Sequence, residues 1–209
     1  MIHIAYVDTI QIDDALYDEL YAAASPERKQ RADRYLRHED SVRCIAADGL
    51  LRHAIRQTPG FPKTCTIGKG PQGKPYIKEA PSFHYNLSHS GHWAAIAWGS
   101  TPVGLDIETL NMGTGKEQIA RQYFTPDEQD YVFQGDDADR CPRFFQIWTS
   151  KESYLKYLGT GLHRALDSFN VCTLTTSKLH TWFLPDACMT LCATDSEVAI
   201  HLLSAEQLR

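Results

Sequence analysis

Val103-Gly104-Leu105-Asp106-Ile107-Glu108 decides how this chain is read. Aliphatic residues alternate with small or acidic ones, which is the period of a half-buried strand. Successive side chains on a strand point to opposite faces, so Leu105 and Ile107 share one side while Asp106 and Glu108 share the other. The same strand also divides the sequence. Before it the pattern predicts a strand at Ile2–Val7, helices at Asp13–Ala24, after Ser25-Pro26 and at Glu39–Arg56, then strands at Phe83–Ser88 and His92–Trp98. From Val103 the order starts again, with helices at Glu117–Phe124, after Thr125-Pro126 and at Arg143–Leu158, then strands at Ser168–Leu174, His180–Leu184, Met189–Ala193 and Glu197–Leu203. Runs of strands kept apart from runs of helices favour an α+β fold. Two similar α+β halves, residues 1–103 and 104–209, related by a pseudo-twofold duplication, would place a cleft at their interface.

Local signals support these elements. Ser25 caps a helix whose first position is Pro26, where a missing N–H costs nothing. Thr125-Pro126-Asp127-Glu128 has the spacing of a capping box. Val42, Ile45, Ala46, Leu50 and Ala54 line one helix face, with Gly49 among them as a point of close packing. Pro59–Gly73 reads as loop, Gly91 as a hairpin turn, and Asn111–Lys116 as a flexible break. Gly159 and Gly161 stop the long C-terminal helix.

Composition narrows the function. Apolar residues make up 43% of the 209 residues and charged ones 22%, enough for a real core without disulfides or a structural metal. The net charge of −5 argues against a general nucleic-acid binder. Arg28 to Arg43 nevertheless holds six Lys or Arg against Asp33, Glu39 and Asp40, a local basic patch suited to a small anion. The six cysteines form no C-x-x-C pair and are read as reduced thiols. Ile2–Val7 is too short for a signal peptide and no stretch is long enough to span a membrane, so the expected location is the cytoplasm.

Four segments carry chemistry. Two carboxylates side by side, Asp106 and Glu108, repel unless a cation or proton lies between them, and Mg²⁺ takes such oxygen ligands together with substrate phosphates. Taken alone they also fit two solvated acids at a strand end. On the helix Trp148, Glu152 and Lys156 lie four apart on one stripe, where Glu152 could add a third carboxylate and Lys156 a cation. Taken alone, that pair fits an intrahelical salt bridge of about 0.3 kcal/mol. Asn86-Leu87-Ser88-His89-Ser90-Gly91 offers hydroxyls, an imidazole and turn amides to a phosphate, but no strained G-x-S-x-G elbow for a nucleophilic serine. Arg28, Arg31 and the Gly73-Lys74-Pro75 turn form the basic set, with Arg forks suited to phosphate oxygens.

Together and in this order, these segments resemble the 4′-phosphopantetheinyl transferases of the two-halved, surfactin-synthetase-activating type, over nearly the whole chain. The resemblance rests on Ser-Pro-Glu-Arg at 25–28, Gly-Lys-Pro at 73–75, Asn-Leu-Ser-His-Ser at 86–90, Gly-Leu-Asp-Ile-Glu at 104–108 and Trp-x-x-Lys-Glu-x-x-x-Lys at 148–156. It implies a magnesium-dependent enzyme, with Mn²⁺ as the alternative ion, that moves the phosphopantetheine arm of coenzyme A to a serine of an apo acyl or peptidyl carrier protein. Asp106, Glu108 and Glu152 would hold the metal, with Glu128 reaching it through water. Asp106, Glu152 and Lys156 would be catalytic, the serine proton passing to Glu152 or to a metal-bound water. Arg28, Arg31, Lys74, Pro75, Ser88 and His89 would contact coenzyme A, and Ile119, Tyr123 and Phe124 the carrier. Cys44 stands where the family can place a hydroxyl, and His92 where it often places a basic residue. A monomer is expected, with no nucleic-acid or membrane partner. A metal-dependent phosphoesterase and a non-catalytic carrier- or nucleotide-binding homologue are the rival readings. The pathway served and the tolerance for acylated coenzyme A are left open by the sequence.

Overall fold

The computed structural model describes residues 1–161 and 164–209. Its first half begins with β1 (Ile2–Asp8), followed by helices α1 (Asp14–Ala23), α2 (Pro26–Ala32) and α3 (His38–Arg56). A short hairpin, β2 (Ile67–Lys69) and β3 (Pro75–Ile77), precedes β4 (His84–Ser90) and β5 (Trp93–Gly99). The second half runs β6 (Val103–Thr109), α4 (Lys116–Tyr123), α5 (Pro126–Phe133), α6 (Asp137–Leu158), β7 (Lys178–Phe183) and β8 (Ala187–Ala193), and β9 (Val198–Leu203) closes the chain's strands.

The duplication is visible in the pairing. In the first half β1 pairs with β5 and β5 with β4; in the second β6 pairs with β8 and β8 with β7, all antiparallel. Each set is one strand, then helices, then a hairpin, with a long helix on one face. One buried cluster lies between α1–α3 and the first sheet, and another between α6 and the second. A third joins the two sheets through their remaining faces: Ile2 and Ile4 of β1 pack with Leu105 and Ile107 of β6 and Met189 and Leu191 of β8. Each of these fully buried aliphatic side chains contributes about 1.5–3 kcal/mol relative to exposure. This seam holds the halves together and fixes what their edges present to each other.

Four expectations are corrected. The segment 168–174 is not a strand but two 3₁₀ turns, Leu166–Ser168 and Val171–Thr173. Its amides are taken by side chains: Cys172 N donates to Asn170 and Val171 N to Glu128, which leaves no ladder to join. Part of the expected 59–73 loop is strand, because Gly70 to Gly73 make a tight turn and Gly73 adopts φ +87°. Helix α6 starts before Pro142 rather than after it, since at that depth the proline removes a single bond in the opening turns. Finally, the last strand does not stay in its half. β9 lies parallel to β1, and Leu208 packs where a Cβ on Gly49 would come within 2.9 Å, so the C-terminal segment belongs to the first half's core. No described helix is long and apolar enough to cross a membrane.

Candidate active site

The site begins with a glycine. A Cβ on Gly104 would sit 2.0 Å from the Ser153 carbonyl oxygen and 2.3 Å from the Tyr157 amide nitrogen, so the bare glycine lets α6 lie directly on β6. That approach places Glu152 and Lys156 of α6 over Asp106 and Glu108 of β6. With Trp148, Ser88 and His89 they line a cleft of about 370 Å³ at the seam.

Asp106 is 3% exposed. Its Oδ1 accepts from Lys156 Nζ at 2.6 Å and from Ser88 Oγ at 2.9 Å, and Lys156 Nζ also lies 3.0 Å from Ser88 Oγ. Its Oδ2 is buried without a hydrogen-bond partner. Burial, and then the charge of Asp106, push the Glu108 and Glu152 carboxyls above their usual range. Ser90 Oγ opposes this at Glu108 by donating to Oε2 at 2.6 Å. Three oxygen-bearing acids around one buried, unpartnered oxygen match the chemistry of a hard divalent cation. As they stand, no three Asp, Glu, His or Cys side chains among the described residues converge on one metal position. Lys156 holds Oδ1, which leaves Oδ2 as the Asp106 oxygen available to an ion.

A second cleft, of about 280 Å³, adjoins the first. Arg28, Arg31 and Pro75 line it, with Cys44 in its wall. Leu87 and His89 line both clefts, so the two abut along β4 and together make up the trough. Arg28 is aimed from behind by Asp48, a buried α3 carboxylate 3.6 Å away that also binds Arg52 at 3.2 Å. Arg31 Nε donates to Tyr35 at 3.3 Å. Burial and then the charges of Arg43, Arg31 and Lys156 lower the His89 pKa, which favours the neutral imidazole.

The residues of this trough fall within two family-level matches. The model for the 4′-phosphopantetheinyl transferase superfamily matches residues 102–200, and that for the 4′-phosphopantetheinyl transferase N-terminal region matches residues 14–101. The chain belongs to the 4′-phosphopantetheinyl transferase superfamily. A 4′-phosphopantetheinyl transferase of Bacillus subtilis is 37% identical over 155 residues, covering 74% of this chain and 68% of that protein. The transferase Sfp of Bacillus subtilis strain 168 is 34% identical over 148 residues, covering 70% and 65%. The transferase psf-1 of Bacillus pumilus is 34% identical over 171 residues, covering 81% and 72%. The chain thus spans about two thirds of the length of these transferases.

Three of the residues carried over from the transferase resemblance have other work in this structure. The Lys74 ammonium does not face the trough. It donates to the carbonyls of Val103 (2.9 Å), Lys156 (2.6 Å) and Tyr157 (3.0 Å), reaching across the seam to the C-terminal end of α6. Burial lowers its pKa to about 8, while three accepting carbonyls favour the charged form. Glu128 is fully buried. Its Oε2 pairs with the equally buried Lys151 at 2.7 Å and accepts from Thr125 N, and its Oε1 accepts from Val171 N, so it has no free oxygen for a metal's water. Lys151 also donates to the Leu166 and Phe169 carbonyls and lies 4.5 Å from the Phe169 ring centre. Phe124 is 2% exposed and stacks on Phe144, which removes it from any docking surface. Tyr123 is exposed and Ile119 half-buried on the same helix.

Asp48 and Gly104 escaped the sequence reading as site residues, and Ser90 was read as offering a hydroxyl to a phosphate rather than to Glu108. The signal was present for Ser90. Asn86, Ser88 and Ser90 are polar side chains at period two on a strand, and such a run shares one face.

Proposed function

We propose that this chain transfers the 4′-phosphopantetheine group of coenzyme A to a serine hydroxyl of an apo acyl or peptidyl carrier protein, releasing adenosine 3′,5′-bisphosphate. The observation that carries this reading is the single trough with guanidinium groups at one end and three carboxylates beside a lysine at the other. It suits a long substrate with phosphates at two separated points, which a simple phosphoesterase would not require.

In this reading Arg28 and Arg31 bind the 3′-phosphate, with His89 between it and the pyrophosphate. Asp106, Glu108 and Glu152 would hold Mg²⁺, or Mn²⁺ in its place, whose role is to neutralise pyrophosphate charge. The carrier serine oxygen bonds to the phosphorus that bears the pantetheine arm, and the bond from that phosphorus to the bridging oxygen breaks. The serine proton passes to a carboxylate of the site, and Glu152, on the helix beside Lys156, is the proposed acceptor. Lys156 leaves Asp106 to meet the negative charge growing on the departing phosphate. Pro75 lines the nucleotide end, and Ser88 acts by holding Asp106. Ile119 and Tyr123 offer the carrier an apolar helix face. Both halves of one chain line the trough, which supports a monomer, and the proposed reaction would take place in the cytoplasm, where coenzyme A and newly made carriers meet.

Intact-mass spectrometry of several apo carriers with enzyme, coenzyme A and Mg²⁺ tests the reading. A gain of one phosphopantetheine, abolished by EDTA and reduced about 10³-fold by Asp106→Ala, is expected. Hydrolysis of coenzyme A with no acceptor modified would replace this reading by the phosphoesterase one. Coenzyme A binding with neither reaction would leave a non-catalytic homologue.

A further inference from the structure

Strands β4 and β6 run side by side without exchanging a single backbone hydrogen bond as a sheet pair. The free edge of β6 carries the amides of Leu105, Ile107 and Thr109. Each donates to a side chain of β4: Leu105 N to Asn86 Oδ1 at 2.8 Å, Ile107 N to Ser88 Oγ at 3.3 Å, and Thr109 N to Ser90 Oγ at 3.2 Å. The partners are 19 residues apart at every rung, so the two strands advance in step. Side chains of one half thus stand in for the missing strand of the other. Leaving such buried amides without acceptors would cost about 1–3 kcal/mol each.

The same hydroxyls do a second thing. A hydroxyl that accepts from an amide still has its proton to donate. Ser88 and Ser90 direct theirs at Asp106 and Glu108, the residues next along β6 after each rung's predecessor, at 2.9 and 2.6 Å. Backbone register and carboxylate direction are therefore set by the same atoms.

We propose that Asn86, Ser88 and Ser90 form a side-chain ladder that locks the two halves in register, and that Ser90 is a positioning residue that turns the Glu108 carboxylate toward the metal position. The second part rests on the transferase reading above. Ser90 Oγ makes no hydrogen bond to Arg28, Arg31 or Lys156, so its loss acts through Glu108, the Thr109 amide and the Thr109 hydroxyl 3.5 Å away. A hydroxyl of this kind fixes the rotamer of a ligand before the ion arrives, and loss of such outer partners weakens metal binding by about 10- to 100-fold.

The test uses the full chain as Ser90→Ala, Ser90→Thr and Glu108→Ala, with Mn²⁺ binding followed by its electron paramagnetic resonance signal and coenzyme A binding followed by calorimetry in EDTA. Ser90→Ala should weaken Mn²⁺ binding at least about 10-fold and leave coenzyme A binding in EDTA unchanged, and Ser90→Thr, which keeps the hydroxyl, should restore Mn²⁺ binding to within about threefold. Should Ser90→Ala not fold, Ser90→Gly removes the hydroxyl without adding bulk and is read the same way. Unchanged Mn²⁺ binding in Ser90→Ala, with binding lost in Glu108→Ala, overturns the role of Ser90 while leaving the metal site intact. Unchanged Mn²⁺ binding in Glu108→Ala overturns the metal reading on which it rests.

Discussion

Strands β1 and β6 open the two halves, and both are seven residues long. Counted from their first residues, Ile2 and Ile4 correspond to Val103 and Leu105, and all four face the seam between the sheets. Ala5 and Val7 correspond to Asp106 and Glu108, on the face turned toward each half's long helix. In the first half those positions are apolar and join the cluster under α3. In the second they are carboxylates under α6. One frame thus yields a closed core in one copy and an open trough in the other. The difference lies in what fills the face between strand and helix, while the seam-facing residues stay the same in kind. His3, the counterpart of Gly104, carries a side chain that stacks on Trp98, and so β1 keeps no bare point for its helix to touch. The second half gives up packing on one face and gains contact through a glycine.

The sharpest way to break this comparison is to exchange the chemistry. Val7→Asp puts an unpaired charge at a site that is 0% exposed and should destabilise the protein by more than about 4 kcal/mol in urea unfolding. Asp106→Ala should remove turnover yet leave unfolding nearly unchanged, because it relieves a crowded set of acids. Equal destabilisation by the two would mean that both faces are ordinary core. Gly104→Ala comes next. Its methyl must displace α6, costing about 1–3 kcal/mol and lowering turnover about 10²-fold through misplacement of Glu152 and Lys156. His3→Ala, at the matching place, should leave turnover alone. A Gly104→Ala protein of normal activity would show that close contact of α6 with β6 does not position the site.

The smallest effect concerns Lys74 and pH. Its folded pKa, lowered by burial to about 8, lies below the roughly 10.4 of an unfolded chain. Between these values the unfolded state holds more protons, so this lysine's contribution to stability rises with pH across that window. The loss on Lys74→Met should therefore be larger at pH 9.5 than at pH 7.5. A loss independent of pH would mean that the three carbonyls hold the ammonium against its burial.

Much of this was legible in the sequence because it is local. Periodicity gave α3 its inward face, Ser25 and Thr125 marked their helix starts, and the alternation at 103–108 placed both carboxylates on one side. The stripe of Trp148, Glu152 and Lys156 does meet those carboxylates in one cleft. What the sequence hid depends on partners far along the chain. Nothing in Gly73-Lys74-Pro75 says that the ammonium will cap the end of a helix some 80 residues later. A glutamate at a capping position looks exposed until Lys151 is known to lie against it. Phe124 ends an amphipathic helix and could have faced either way, and Phe144 decided it. The ladder of 86, 88 and 90 was readable as a pattern but not as a joint, since its counterpart is a row of backbone amides with no sequence signature.

The return of β9 to β1 has a consequence for how the molecule is made. A ribosome delivers Ile2 long before Val198, its neighbour in the sheet. Until residues 198–208 have cleared the exit tunnel, β1 has one bare edge and the groove at Gly49 lacks Leu208. The half that emerges first is therefore the half that finishes last. The basic cleft, which stands on α3 and β4, therefore rests on a core that is complete only after the whole second half has been made.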